Sequence, residues 1–163
     1  MRWVGIGALS NLADVLTAHP GLVDRLHVTQ MGGAINYRHP DRAEHNFRLD
    51  PTAALTAVAR VRDLRLVISD VTWTDRIAVD HGHEVYRLVA GSSAPWAGLL
   101  RAHYDQWFAY RESNKLHDPL TLSAAMGLGF CEVRAGTVAD GARCADGSRP
   151  GRAQRPVGRR CRL

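Results

Sequence analysis

The sequence predicts an α/β fold, in which a parallel β-sheet is flanked by helices. Three observations support this prediction. Short apolar runs alternate with longer stretches in which apolar residues recur at helical spacing, and this alternation spans residues 1–130. Glycines or polar clusters follow the apolar runs. Strands that alternate with helices along a chain usually lie parallel and are joined by right-handed crossovers.

The first strand and helix are predicted at the start of the chain. The strand covers residues 3–6, Trp-Val-Gly-Ile, and Gly7 separates it from the helix. The sequence His-Pro-Gly at residues 19–21 ends this helix, because proline interrupts the helical hydrogen bonds and glycine favours a turn. The apolar residues at helical spacing are Leu9, Leu12, Ala13, Val15 and Leu16.

The second strand is predicted at residues 26–30 and ends at Met31, which two glycines follow. A polar loop over residues 36–50 leads to a helix over residues 51–61. Asp50 is the predicted N-cap, because its carboxylate can accept from the unpaired N–H groups of the first turn and proline suits the first helical position. The predicted buried face of this helix consists of Ala54, Leu55, Val58 and Ala59.

The third strand is predicted at residues 64–68, and the sequence Asp-Val-Thr at residues 70–72 closes it. Ligands of parallel sheets bind beyond the carboxyl ends of the strands. This rule selects three loops as the candidate site, which are residues 6–9, 31–50 and 69–75.

The second half of the body is predicted to be helical. An amphipathic stretch over residues 95–116 carries an aromatic face, which we interpret as core packing rather than as a cofactor site. The sequence His-Asp-Pro at residues 117–119 predicts a further helix that is capped in the same way as the helix after Asp50. The predicted aromatic face consists of Trp96, Leu99, Leu100, His103, Trp107 and Tyr110.

The net charge of +5 arises entirely from residues 131–163, which hold 8 arginines and 3 acidic residues. Glycine, alanine, arginine and proline dominate there, and such a segment cannot bury enough apolar surface to offset its ordering entropy. We expect a body domain over residues 1–130 and a disordered basic tail over residues 131–163, with one short strand at residues 133–138. The arginines indicate a solvated tail, and nonspecific nucleic-acid binding is the alternative.

The three cysteines, Cys131, Cys144 and Cys161, also lie in this segment. Their spacing does not fit a zinc site, and their odd number argues against a closed set of intrachain disulfides. No apolar run approaches the length of a membrane span, and the N-terminus lacks a signal pattern. We therefore expect a soluble cytoplasmic protein without a membrane partner.

Glu44 and Asn46 are a candidate sugar-binding pair. In an extended backbone their side chains point the same way, because side-chain direction repeats every second residue. A carboxylate beside a carboxamide can bind vicinal hydroxyls such as those of a sugar. The alternative, which the pattern favours about equally, is that both side chains only satisfy the backbone of their loop.

Five segments, in the same order as in the family, together resemble the inosine–uridine-preferring nucleoside hydrolases. The resemblance covers residues 3–126. The segments are Gly-Ala-Leu-Ser-Asn-Leu-Ala at 7–13, Met-Gly-Gly at 31–33, Ala-Glu-His-Asn-Phe-Arg-Leu-Asp-Pro at 43–51, Asp-Val-Thr at 70–72 and His-Asp-Pro-Leu at 117–120.

The resemblance implies a Rossmann-like core and hydrolysis of the N-glycosidic bond of ribonucleosides with a calcium ion. It implies that Glu44 and Asn46 contact the ribose hydroxyls and that Met31 lines the ribose pocket. It also implies that His117 is the general acid toward the leaving base, since an imidazole titrates near neutrality.

The resemblance further implies that Asp118 and the backbone oxygen of Ile6 are calcium ligands. The family's N-terminal Asp-x-Asp-x-x-x-Asp-Asp motif, which supplies most of the ligands and the base for water, is absent from the sequence. Calcium takes about 6–8 oxygens, so two donors do not complete the site. We expect a truncated, impaired or inactive hydrolase that is a possible homo-oligomer, with a non-catalytic ribose-binding module as the alternative.

Overall fold

The computed structural model describes residues 1–136 and the backbone of Arg159–Arg162. The described chain forms two compact units. One comprises Met1–Val71 with the described residues from Asp118 onward, and the other comprises Thr72–His117. No helix in the described part of the chain is both long and apolar enough to cross a membrane.

The first unit is built on a five-stranded sheet. In chain order its strands are Arg2–Gly5 (β1), His27–Met31 (β2), Asp63–Val67 (β3), Glu132–Ala135 (β6) and Arg159–Arg162 (β7). Their order in the sheet is β1-β2-β3-β7-β6. Strands β1, β2, β3 and β7 lie parallel, and β6 runs antiparallel to β7. The predicted parallel α/β sheet is therefore confirmed.

Buried apolar residues of the central strands and of the first helix form the core of this unit. Val28 lies beside Leu64 in the register of β2 and β3, and both are almost completely buried. Leu12 and Leu16 complete the core where the helix over residues 10–18 packs against the helix over residues 51–60. The helices are Ser10–Ala18 (α1), His45–Leu49 (α2), Pro51–Arg60 (α3), Ser69–Thr72 (α4) and His117–Met126 (α7), and a 3-10 turn covers Pro20–Leu22.

Helix α3 begins as the sequence predicts. Asp50 is its N-cap, and one carboxylate oxygen accepts from the N–H of Ala53 at 2.9 Å while Pro51 occupies the first helical position. The predicted buried face was partly wrong, because Leu55 and Ala59 are exposed. The small side chains Ala53, Ala54 and Ala57 face the core instead.

Helix α7 begins two residues earlier than an N-cap at Asp118 predicts. Its first residue is His117, so Asp118 lies within the first turn and does not cap it. The prediction of a second Asp cap was therefore wrong. Proline is tolerated throughout the first turn because those N–H groups have no helical partner, so both placements satisfy the same sequence pattern.

Part of the segment that we expected to be disordered forms strands. Strand β6 overlaps the short strand expected at residues 133–138 but begins one residue earlier and ends at Ala135. Strand β7 is a correction to the expectation of disorder. The prediction of disorder for residues 137–158 and 163 lies outside the described residues. Cys131 is disulfide-bonded.

The second unit has its own small core, formed by Val79, Val89 and Tyr104. Its predicted single helix over residues 95–116 was wrong, because α6 ends at Phe108 and a short strand follows. All six residues of the predicted aromatic face are exposed, so its interpretation as core packing was wrong. Ala97 and Tyr104 are the buried residues of α6 instead. The elements are a 3-10 turn at Asp75–Ile77, β4 at Ala78–Val79, α5 at Glu84–Gly91, α6 at Ala97–Phe108 and β5 at Asn114–Lys115.

Candidate functional site

The carboxyl end of β2 is the centre of the candidate site. Met31 is the last residue of the strand and is buried, and the two glycines after it turn the backbone with φ angles of 147° and 75°. The N–H of Gly32 donates to the carbonyl of Val67 at 3.1 Å, and the carbonyl of Gly33 accepts from Ser69 at 2.8 Å. These bonds hold the turn against the end of β3.

Glu44 is buried and caps helix α2. Its Oε2 atom accepts from the N–H groups of Gly33 and Asn46, both at 3.0 Å, and from Phe47 at 3.3 Å. The carboxylate thus joins the turn after β2 to the first turn of α2. The alternative that Glu44 only satisfies the backbone of its loop therefore explains the contacts of Oε2. The second oxygen, Oε1, makes no hydrogen bond to any residue in the described chain.

Asn46 lies in the first turn of α2, next to Met31. Its Nδ2 group donates to the carbonyl of Met31 at 3.1 Å and lies 3.1 Å from the Met31 sulfur. The expected extended arrangement of Glu44 and Asn46 is wrong, because the helix begins at His45. The structure nevertheless buries both side chains beside the turn that follows Met31.

Gly32 is required by this close packing. A Cβ atom at this position would lie 2.9 Å from the ring of Phe47 and 3.2 Å from Oε2 of Glu44. Its φ of 147° is also a conformation that side chains disfavour. A larger residue here would push the cap and the helix away from the strand end.

Gln30 is a buried residue of the site that the sequence analysis missed. Its Nε2 group donates to the carbonyls of Gly7 and Met31, both at 2.8 Å, and the residue is only 1% exposed. A single amide in an otherwise apolar strand end was the available signal, because a buried amide needs hydrogen-bond partners. It connects the loop after β1 to the end of β2.

Asp70 closes the loop between β2 and α2. Its two carboxylate oxygens accept from the N–H groups of Ile35 at 2.8 Å and Asn36 at 2.7 Å. The structure therefore gives Asp70 a loop-closing role. The hydroxyl of Ser10 similarly donates to Asp50 at 2.6 Å, and with the N–H of Ala53 it holds the pKa of Asp50 below its usual range.

The two predicted metal ligands differ in their surroundings. Ile6 follows β1 and is exposed. The Asp118 carboxylate makes no hydrogen bond or ion pair within the described chain, and desolvation by surrounding protein raises its pKa although its side chain reaches solvent. No group of three or more histidine, cysteine or acidic side chains in the described part could hold a metal. One carboxylate and one carbonyl do not fit a calcium ion.

His117 belongs to the second unit and has an aromatic neighbour. Its ring stacks on Trp73, with ring centres 5.9 Å apart and planes 16° apart. The Lys115 ammonium lies 5.2 Å from the Trp73 ring and pairs with Asp75 at 2.8 Å, and this pairing lowers the pKa of Asp75. The sequence analysis did not single out Trp73, although it directly follows the Asp-Val-Thr motif.

Comparisons with known proteins cover nearly the whole chain. The family model described as inosine-uridine preferring nucleoside hydrolase matches residues 1–156. The plant nucleoside hydrolase PpNRh1 has a similar structure, with a TM-score of 0.72 and 18% identity over 99% of this chain and 57% of that one. No curated protein matches the chain.

Two further solved structures share the fold. The inosine-uridine preferring nucleoside hydrolase from Bacillus anthracis has a TM-score of 0.66 and 16% identity, covering 100% of this chain and 55% of that one. The type III effector protein XopQ, complexed with adenosine diphosphate ribose, has a TM-score of 0.62 and 16% identity, covering 99% and 55%. The chain thus spans little more than half the length of these relatives.

Proposed function

Because the chain belongs to the inosine-uridine preferring nucleoside hydrolase family, we propose that it binds ribonucleosides through their ribose. Glu44 and Asn46 are the proposed contacts to the ribose hydroxyls, and Met31 lines the same pocket. The observation that carries this proposal is the buried pair of side chains at the end of β2.

The atoms that remain available on these two side chains suit a diol. Oε2 of Glu44 and Nδ2 of Asn46 are used by the protein, which leaves Oε1 and Oδ1 without hydrogen bonds to described residues. Both are acceptors, and ribose hydroxyls can donate to them. The backbone contacts fix the direction of each side chain, so little conformational entropy is lost when a ribose binds.

Hydrolysis of the N-glycosidic bond is the reaction of the family, and we propose that it is impaired or absent in this chain. His117 is the proposed proton donor to the leaving base, since an imidazole can supply a proton near neutral pH. Cleavage also needs an activated water, and Asp118 is the one carboxylate of the predicted metal site among the described residues. We propose no step through calcium, because the available donors do not fit the ion.

A non-catalytic ribose-binding module is the second candidate function. The relative XopQ was crystallised with adenosine diphosphate ribose. The terminal ribose of this ligand carries hydroxyls but no nucleobase that could be released. The proposed contacts of Glu44 and Asn46 require neither a metal nor a general acid. Tighter binding of adenosine diphosphate ribose than of inosine would favour this candidate.

The test is an assay of inosine cleavage by the purified full chain, with calcium and with a chelator. Chromatography measures the rate at which hypoxanthine is released. We expect this rate to be no higher with the chain than for inosine without protein, and to be the same with and without calcium. Calcium-dependent release that disappears in His117→Ala would show that the chain is an active hydrolase and that the proposed impairment is wrong. The Gln106→Ala variant, at an exposed position of α6, is the control for the effect of a substitution as such.

A further inference from the structure

Gln30 lies where the pairing of β1 and β2 ends. The last paired residues of these strands are Gly5 and Gln30, whereas β2 continues to pair with β3 through Met31. Beyond this point the Gln30 amide links the loop after β1 to the end of β2, because it donates to the carbonyls of both Gly7 and Met31. Met31 is buried, and a buried carbonyl without a donor would be costly.

Gly5 provides the space for this amide. A Cβ atom on Gly5 would lie 1.8 Å from Oε1 of Gln30 and 2.7 Å from its Cδ. No side chain can occupy Gly5 unless the amide of Gln30 moves. The two residues therefore form a pair, and the amide can be displaced by a substitution at Gly5 without any change to Gln30.

The carbonyl of Met31 accepts two side-chain amides. Gln30 donates to it at 2.8 Å, and Asn46 donates to the same oxygen at 3.1 Å. The direction of the Asn46 side chain therefore depends on a carbonyl that Gln30 holds. The Asn46 amide oxygen, the atom proposed to meet the ribose, is fixed by this arrangement.

We propose that Gln30 is a positioning residue for ribose binding, which acts through the Met31 carbonyl on Asn46. This inference rests on the proposed function, because it concerns the same ribose site. Gln30 does not touch the ligand in this account. Its amide fixes the carbonyl that orients Asn46, and Gly5 is its necessary partner.

The first test measures inosine binding by calorimetry. Gln30→Leu, which keeps the volume and removes the donor, is expected to weaken inosine binding about tenfold. Gly5→Ala should have a similar effect, and it serves as the second variant if Gln30→Leu does not fold. Gln106→Leu is the matched control at an exposed glutamine and should bind as the wild type does.

A double-mutant cycle separates positioning from a general loss of structure. If Gln30 acts through Asn46, the Gln30→Leu/Asn46→Ala variant binds inosine no more weakly than Asn46→Ala alone. Additive losses would overturn the proposal, as would wild-type affinity in both Gln30→Leu and Gly5→Ala.

The second test needs no ligand and follows the side-chain amide of Asn46 by NMR. In Gln30→Leu and Gly5→Ala this signal should shift and exchange faster with water, whereas in Gln106→Leu it should not change. An unchanged Asn46 signal would overturn the proposal. If the wild type does not bind inosine, the proposed function fails, and this NMR result alone then decides whether Gln30 positions Asn46.

Discussion

Glu44 accepts a hydrogen bond from the backbone N–H of Gly33 at 3.0 Å, and this bond ties helix α2 to the turn that follows β2. The same oxygen caps the helix through two further N–H groups. One side chain thus places the candidate ribose contacts at the carboxyl end of the sheet. The consequences can be separated by substitution, since only one of its oxygens accepts hydrogen bonds from the described part of the chain.

Glu44→Ala is expected to destabilise the chain by about 1–3 kcal/mol, because it leaves buried N–H groups without an acceptor. Glu44→Gln keeps an oxygen for the cap and replaces Oε1 by a donor, so its stability loss should be smaller. Urea unfolding measures both. Equal stability losses in the two variants would contradict the division of labour between the oxygens.

Gly32→Ala is expected to cost about 1–3 kcal/mol of unfolding free energy, because its φ is unfavourable for a side chain and the Phe47 ring leaves no room. Gly98→Ala is the matched control, since Gly98 lies in α6 and a Cβ atom there meets nothing within 4 Å. It should not destabilise the chain. Thermal or urea unfolding measures the stability of both variants. A Gly32→Ala variant as stable as Gly98→Ala would contradict this account.

Asp50 makes the stability of the chain depend on pH. Its pKa is lowered in the folded state by the Ser10 hydroxyl first and by the N–H of Ala53 second. Its contribution to stability is therefore present above the pKa of the unfolded chain and is lost as the pH falls through the folded pKa.

Ser10→Ala should raise the pKa of Asp50 toward its usual value and reduce the loss of stability on acidification. An NMR titration of the Asp50 carboxyl carbon measures the first effect, and unfolding at neutral and acid pH measures the second. Ser93→Ala, at an exposed serine, is the control. An unchanged Asp50 titration in Ser10→Ala would refute the assignment of Ser10 as the main cause.

Calcium should not stabilise the chain. A ligand that binds the folded state raises the unfolding temperature, and the donors predicted for calcium are one carboxylate and one carbonyl. The unfolding temperature with calcium, with magnesium and with a chelator should therefore agree. A rise that calcium causes and Asp118→Asn removes would show that the described donors are sufficient after all.

The Asp-Pro pairs show both the reach and the limit of prediction from the sequence. At Asp50 the pair gave the correct helix start and the correct cap. At Asp118 the same pair forms the second and third residues of the helix. The Asp-Pro pattern alone does not determine at which position of the first turn the pair lies. Strands β1, β2 and β3 were each predicted within one residue, because buried strands carry a strong apolar signal.

The second unit was predicted less well because its core depends on contacts between distant segments. The spacing of apolar residues in α6 is compatible with burial of either of two adjacent helical faces. The packing of Tyr104 beside Val79 and Val89 determines which face is buried. The role of Gln30 was missed for a related reason. Its two acceptors come from different strands, and their proximity is a property of the folded sheet.

The central claim is that Glu44 and Asn46 bind the ribose hydroxyls, and calorimetry with inosine and 2′-deoxyinosine tests it most directly. The account predicts that the wild type binds inosine about tenfold or more tightly than the deoxy analogue, because a lost hydroxyl leaves an acceptor without its donor. It also predicts that Asn46→Ala removes most of this difference. Equal binding of the two nucleosides by the wild type, or the same preference in Asn46→Ala, would contradict the claim.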